Sequence, residues 1–169
     1  MKNINLKSAC DLAQRIAEQK KTLAFYRSLH DVAAVEREQA RLDSLRDQLY
    51  TDKGYLALSA VLGEVQTRAK VRMIDADDVI RHLCAVSDNL NIPKKAMEGI
   101  TIRADLNAQK FPNAYKGRPE STIFEAEYKA GGWRVTSVVR ADTVQRNHGT
   151  SVYLTDDAKA ALLARFSEF

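Results

Sequence analysis

An α+β fold follows from a change of hydrophobic period along the chain. Before Pro93 apolar residues recur every three or four positions; after it they recur every second position, until one last helical stripe closes the sequence. An α-helix turns once in about 3.6 residues and a strand alternates faces with every residue. The chain therefore divides into an all-helical half, residues 1–92, and a mixed half, residues 93–169. The expected architecture is an N-terminal antiparallel helical hairpin plus two further helices, then a small antiparallel sheet of three or four strands covered by a C-terminal helix.

Residues 6–26 carry Ala9, Leu12, Ile16, Leu23 and Tyr26 on one narrow stripe, interrupted by the polar Gln19. Ser28-Leu29-His30-Asp31 breaks the phase, and Asp31 is placed to cap a second helix with Val32, Val35, Leu42, Leu45 and Leu49. Two seams joined by a few residues fold back as a hairpin within one chain, or run on as one coiled coil between two chains. Residues 51–54 form a turn. A third stripe follows as Tyr55, Leu58, Leu62, Val65 and Ala69; Gly63 within it either marks a close helix crossing or costs about 1 kcal/mol relative to Ala. Asp75 or Asp77 starts a fourth helix, with Val79, Ile80, Leu83 and Val86, ending near residue 89. Asp75, Asp77 and Asp78 in its first turn complement the exposed amides and the helix dipole, so capping accounts for them without a metal.

In the mixed half Ile100, Ile102 and Ala104 alternate with polar neighbours as a short strand. The clearest hairpin comes later. Thr122, Phe124, Ala126 and Tyr128 alternate with Ile123, Glu125, Glu127 and Lys129, and Trp133, Val135, Ser137 and Val139 with Arg134, Thr136, Val138 and Arg140. A turn on Gly131-Gly132 would set Lys129 opposite Arg134. A four-residue loop, 129–132, instead sets Glu127 opposite Arg134 and Tyr128 opposite Trp133, pairings each worth roughly 0.2–1 kcal/mol. The second register is therefore expected. Residues 145–149 make another turn and 150–154 another strand; Thr155 or Asp156 caps a final helix with Ala158, Leu162, Phe166 and Phe169 on its apolar stripe.

At 169 residues the chain can bury a core without staples, and its two cysteines, Cys10 and Cys84, fit small buried side chains in a reducing compartment. No stretch approaches the roughly 20 apolar residues of a membrane span, so a soluble, cytoplasmic protein with no membrane contact is expected. His30, His82 and His148 lack zinc-site spacing, and His82 and Cys84 point in different directions on a helix. A nucleophile elbow and a glycine-rich phosphate loop are both missing, since Gly131-Gly132 precedes a strand. No catalytic residue, metal ligand or cofactor is assigned. The nearest enzymatic pattern is that of a metal-dependent nuclease, with Asp105, Glu125 and Glu127-Tyr128-Lys129 as its parts. Glu127 already has a structural place opposite Arg134, and Lys129 falls at a hairpin end.

Charge is concentrated. The net value is +4, and residues 94–146 hold 10 Lys and Arg against 6 Asp and Glu, so the whole excess sits there. Within that segment lies KFPNAYKGRP, residues 110–119, whose Pro112 and Pro119 remove backbone donors and exclude both helix and central strand. Lys110, Lys116 and Arg118 suit phosphates, and the rings of Phe111 and Tyr115 either stack on bases or tuck inward to anchor the loop. Arg103, Arg134 and Arg140 would widen such a footprint if they share its face. The leading expectation is a non-enzymatic accessory or regulatory protein that binds DNA or RNA through this loop and sheet, with a homodimer formed by the helical half. The alternative is a protein-interaction module, an adaptor or inhibitor anchored by the aromatics of this loop; a nuclease is third.

Overall fold

The structure, a computed structural model, describes residues 3–65, 74–107, 120–142 and 150–154, of which 105–107, 120–121, 140–142 and 150–154 are described as backbone alone. The elements are β1 (Ile4–Asn5), α1 (Lys7–Ser28), α2 (Val32–Tyr50), α3 (Lys53–Val65), α4 (Ala76–Asn89), a single 3-10 turn (Lys94–Ala96), β2 (Thr101–Asn107), β3 (Glu120–Lys129), β4 (Gly132–Asp142) and β5 (Thr150–Leu154). The fold is α+β, with the helices first and an antiparallel sheet in the order β1-β4-β3-β2-β5. Four strands come from the C-terminal half. The fifth, β1, is an N-terminal edge strand that the hydrophobic period does not show, because two residues are too few to display one; Ile4 pairs with Val135 and Asn5 with Arg134. Ala69, the 145–149 turn and the expected C-terminal helix lie outside the described residues.

The α1–α2 hairpin closes within one chain. At the end of α1, His30 adopts a left-handed conformation with φ 54°. His30 N donates to Arg27 O at 3.1 Å and Asp31 N to Tyr26 O at 3.3 Å, the paired bonds that reverse a chain after a helix. Asp31 then caps α2, its carboxylate accepting from Ala34 N at 3.1 Å. On α1 the buried positions are Ala9, Cys10, Leu12, Ile16 and Leu23, as the stripe predicts. On α2 they are Ala34, Glu38, Leu42, Leu45 and Leu49, which shifts the seam away from Val32. The buried Glu38 meets Gln19, the polar gap in the α1 seam: Gln19 Nε2 donates to Glu38 Oε2 at 2.6 Å and to Glu38 O at 3.0 Å. Arg37 and Arg41 reach the other carboxylate oxygen at 3.2 and 3.0 Å. The Gln19 hydrogen bond, with the two arginines behind it, holds the Glu38 carboxyl below the usual carboxylate range. Two apparent seam defects are thus one polar pair, which fixes the register of the helices because sliding either by a turn would strand a buried carboxylate.

Gly63 is not a crossing point: it is exposed, and a Cβ there would meet nothing. The close approach is at Gly54, where a Cβ would run into the backbone carbonyl of Asn5, so this glycine lets α3 lie against β1. Asp75 caps α4 in a reciprocal box with Asp78, each carboxylate accepting the other's backbone N–H, at 2.9 and 3.1 Å. Tyr55 ties α3 to this helix start by donating to Asp77 Oδ2 at 3.0 Å.

In the sheet Glu127 stands opposite Arg134 and Tyr128 opposite Trp133, the register expected from the sequence. The connecting loop is shorter than four residues. Lys129 pairs with Gly132, leaving only Ala130 and Gly131, both at positive φ of 54° and 76°. That backbone suits a two-residue turn whose twist matches the strands, and the Glu98 carboxylate accepts from Ala130 N at 2.7 Å and Gly131 N at 3.4 Å. A bulge interrupts the pairing farther along: Glu125 opposes Ser137 but Ala126 opposes Val135, so Thr136 is extra, its hydroxyl donating to Glu125 O at 3.2 Å. The extra residue switches faces. Trp133, Val135 and Val138 are buried, whereas Val139, which simple alternation sets beside Val135, is exposed. The core is continuous across Pro93, joining Leu6, Leu58, Ile80 and Leu83 of the helical half with Ile100, Ile102, Phe124 and Val135 of the sheet.

Candidate functional site

The basic stretch 110–119, with Lys110, Phe111, Tyr115, Lys116 and Arg118, lies outside the described residues, between the paired strand ends Asn107 and Ser121. Arg140 is set by backbone register near the same end of the sheet, opposite Thr122. Arg103 and Arg134 are farther in. Ile102 and Ala104, like Trp133 and Val135, point into the core, so Arg103 and Arg134 occupy the opposite, outward face, where both are half-buried. There the register sets Arg103 opposite Glu125 and Arg134 opposite Glu127. Directly opposed residues share a face, so the formal charges of these four side chains sum to zero, and Arg134 Nε is buried there without a hydrogen-bond partner among the described residues.

The same register spreads the parts of the nuclease pattern along β3: Asp105 is opposite Ile123, Glu125 is two residues further along the strand and Glu127 four, the last roughly 13 Å away at strand rise. Among the described residues no group of three His, Cys, Asp or Glu is arranged to hold a metal ion, and no helix among them is long and apolar enough to cross a membrane.

A different surface emerges at the tip of the α1–α2 hairpin. Phe25 is 56% exposed, Leu29 57% and Val32 70%. Phe25 in the last turn of α1 and Leu29 at its C-cap are one turn apart and off the buried stripe; Val32 opens α2 immediately after the reversal. Tyr26 stands edge-on to Phe25 with ring centroids 5.4 Å apart, and the Arg37 guanidinium lies 5.8 Å from the Tyr26 ring centre. Arg27, Asp31 and Glu36 are exposed around this apolar group, giving a rim of both signs. The sequence carries a signal for it, since Phe25 and Leu29 fall outside the stripe. Assigning Val32 to the seam hides that signal.

The fold also joins two residues that the sequence leaves far apart. Cys10 of α1 and Cys84 of α4 lie together, with Cys84 Sγ donating to Cys10 O at 3.9 Å. No protein-family model, curated protein or solved structure matches the chain.

Proposed function

We propose that this chain is a non-enzymatic protein-interaction module, an adaptor or inhibitor that inserts the tip of the α1–α2 hairpin into an apolar pocket of another protein. The observation that carries this proposal is the clustering of Phe25, Leu29 and Val32, each more than half exposed, within eight residues. Apolar side chains ringed by charge have the anatomy of an interface centre and rim. Tyr26 and Arg37 beside them are residue types that often dominate binding energy. Three side chains fall short of the about 800 Å² per partner of a standard interface, so the tip acts as a knob whose pocket the partner supplies.

The test is co-purification from the native cell with and without nuclease, comparing the parent with two folded variants. Phe25→Ser/Leu29→Ser/Val32→Ser should lose a protein partner that survives nuclease and is retained by Lys110→Ala/Lys116→Ala/Arg118→Ala. The reverse pattern overturns the proposal. Light scattering separates this from self-association: a homodimer through the helical half would give twice the chain mass, returned to one by the tip substitutions, and would overturn insertion into another protein.

A nucleic-acid surface in the C-terminal half is the second proposal, favoured by the charge excess of residues 94–146. Its mark is salt dependence, with log K falling against log[salt] by roughly 0.7–0.9 per phosphate contact. The loop variant should then flatten that slope while the tip variant leaves it unchanged.

A further inference from the structure

Where α1 crosses α4, a pocket of about 110 Å³ is lined by Lys7, Cys10, Asp11, Cys84, Lys94 and Tyr128, among others. On the same measure a water needs about 10–15 Å³, so a small polar molecule fits beside the sulfurs. Cys10 is buried and Cys84 half-buried, and Cys84 Sγ lies 3.9 Å from the Cys10 carbonyl oxygen. We propose that Cys10 and Cys84 form a redox-active dithiol site that a small peroxide converts into an intramolecular disulfide between α1 and α4.

The two sulfurs have different roles. The neighbouring Cys10 thiol draws the Cys84 thiol below its ordinary range, against the opposing effects of burial and Asp11. The neighbouring Cys84 and burial push the Cys10 thiol far up, so Cys10 stays protonated. Asp11 raises both thiols, and Lys7 and Lys94 are the cations lining the pocket. Cys84, the more accessible and more acidic, is the nucleophile. Its thiolate attacks one peroxide oxygen, the O–O bond breaks, hydroxide leaves and a sulfenic acid remains. The Cys10 sulfur then attacks the Cys84 sulfur and displaces hydroxide as its own proton is released, giving the disulfide and water. In total two thiols lose two electrons and two protons, and one peroxide becomes two waters. The covalent bond joins the first long helix to the fourth across 74 positions of sequence, a closed loop that restricts the unfolded chain and raises the melting temperature.

The purified full chain is treated with a small molar excess of hydrogen peroxide, denatured in N-ethylmaleimide and weighed intact. The expected product has lost two hydrogens, takes no maleimide, yields a Cys10–Cys84 linked peptide and reverts with dithiothreitol. Unchanged thiols, oxygen adducts without a bridge, or disulfide-linked dimers overturn the proposal. Cys10→Ser should halt at a Cys84 sulfenic acid that dimedone traps. In Cys84→Ser, which alters the more exposed partner and so perturbs the core less, Cys10 should be consumed about tenfold more slowly or less. Oxidation of Cys10 at the parental rate in that variant contradicts the assignment of Cys84 as nucleophile.

Discussion

At the tip of the α1–α2 hairpin, Phe25, Leu29 and Val32 face solvent over more than half their surface, whereas on the outward face of the sheet Arg103 and Arg134 each stand opposite a glutamate. The tip is exposed, while Arg103, Glu125, Glu127 and Arg134 are half-buried. The two surfaces also differ in what remains to be satisfied. Each opposed charge on the sheet has a residue of the other sign across from it, and recruiting a partner competes with that neighbour, although Arg134 Nε is buried without a hydrogen-bond partner among the described residues. Apolar side chains gain by being covered and lose nothing inside the chain when they are. The tip is accordingly the better candidate for an interface, and a charge excess read from the sequence is a poorer guide than the register that sets each charge against its neighbour.

The largest expected effect tests whether the tip rests on a seam closed within one chain. Leu42 is buried to 2% exposure in that seam, so Leu42→Ala should cost about 2–5 kcal/mol in urea unfolding. The unfolding midpoint should also be independent of protein concentration. A midpoint that rises with concentration even in the tip variant would mean that the seam closes between chains, and the tip would then need a different description.

A smaller effect concerns acid. The Glu38 carboxyl is held below its ordinary range by Gln19 and the flanking arginines, so the unfolded chain binds a proton before the folded chain does. The stability this supplies is complete above the unfolded value of about 4.3 and is lost as pH falls through the lower folded value. Chemical unfolding followed from pH 6 downward should therefore show Glu38→Gln with a flatter loss below about pH 4.3 than the parent. Identical slopes would remove the Gln19–Glu38 pair as the register device.

Much of this is legible in the sequence, and what is not has identifiable causes. Asp31, the break after Ser28 and the Glu127–Arg134 register are local features, fixed by capping and by cross-strand pairing within a few residues. The Gln19–Glu38 pair is not local; each residue alone looks like a flaw in a stripe. The bulge at Thr136 is silent because an inserted residue leaves composition unchanged and shifts only the phase, so Val139 falls on the wrong face. Cys10 and Cys84 meet only because α1 and α4 cross, and no period records a crossing. For the candidate sites, Phe25 and Leu29 carry a signal for the tip that placing Val32 on the seam hides, while the residues across from Arg103 and Arg134 follow only from the register.

On the sheet side of the comparison, Glu127→Ala and Arg134→Ala should each cost only roughly 0.2–1 kcal/mol, and the double variant less than their sum. A double-mutant cycle checks it. Strict additivity would mean that the opposed charges do not interact, leaving the outward face freer to recruit an anion than proposed.

Smallest in stability, and opposite in consequence, are the tip substitutions. Phe25→Ser, Leu29→Ser and Val32→Ser should each shift unfolding by no more than about 0.5 kcal/mol, since the side chains are already mostly in water. Thermal melting of the three variants checks this; a large loss would identify the tip as core.

The most direct measurement places a photo-crosslinking p-benzoylphenylalanine at position 25 and, in a separate chain, at position 115, and irradiates both in the native cell. Crosslinking from position 25 to a distinct protein, unaffected by nuclease and absent when Leu29→Ser and Val32→Ser are added, is the result predicted here. Crosslinking from position 115 to nucleic acid, with none from position 25, would contradict it and return the function to the basic loop.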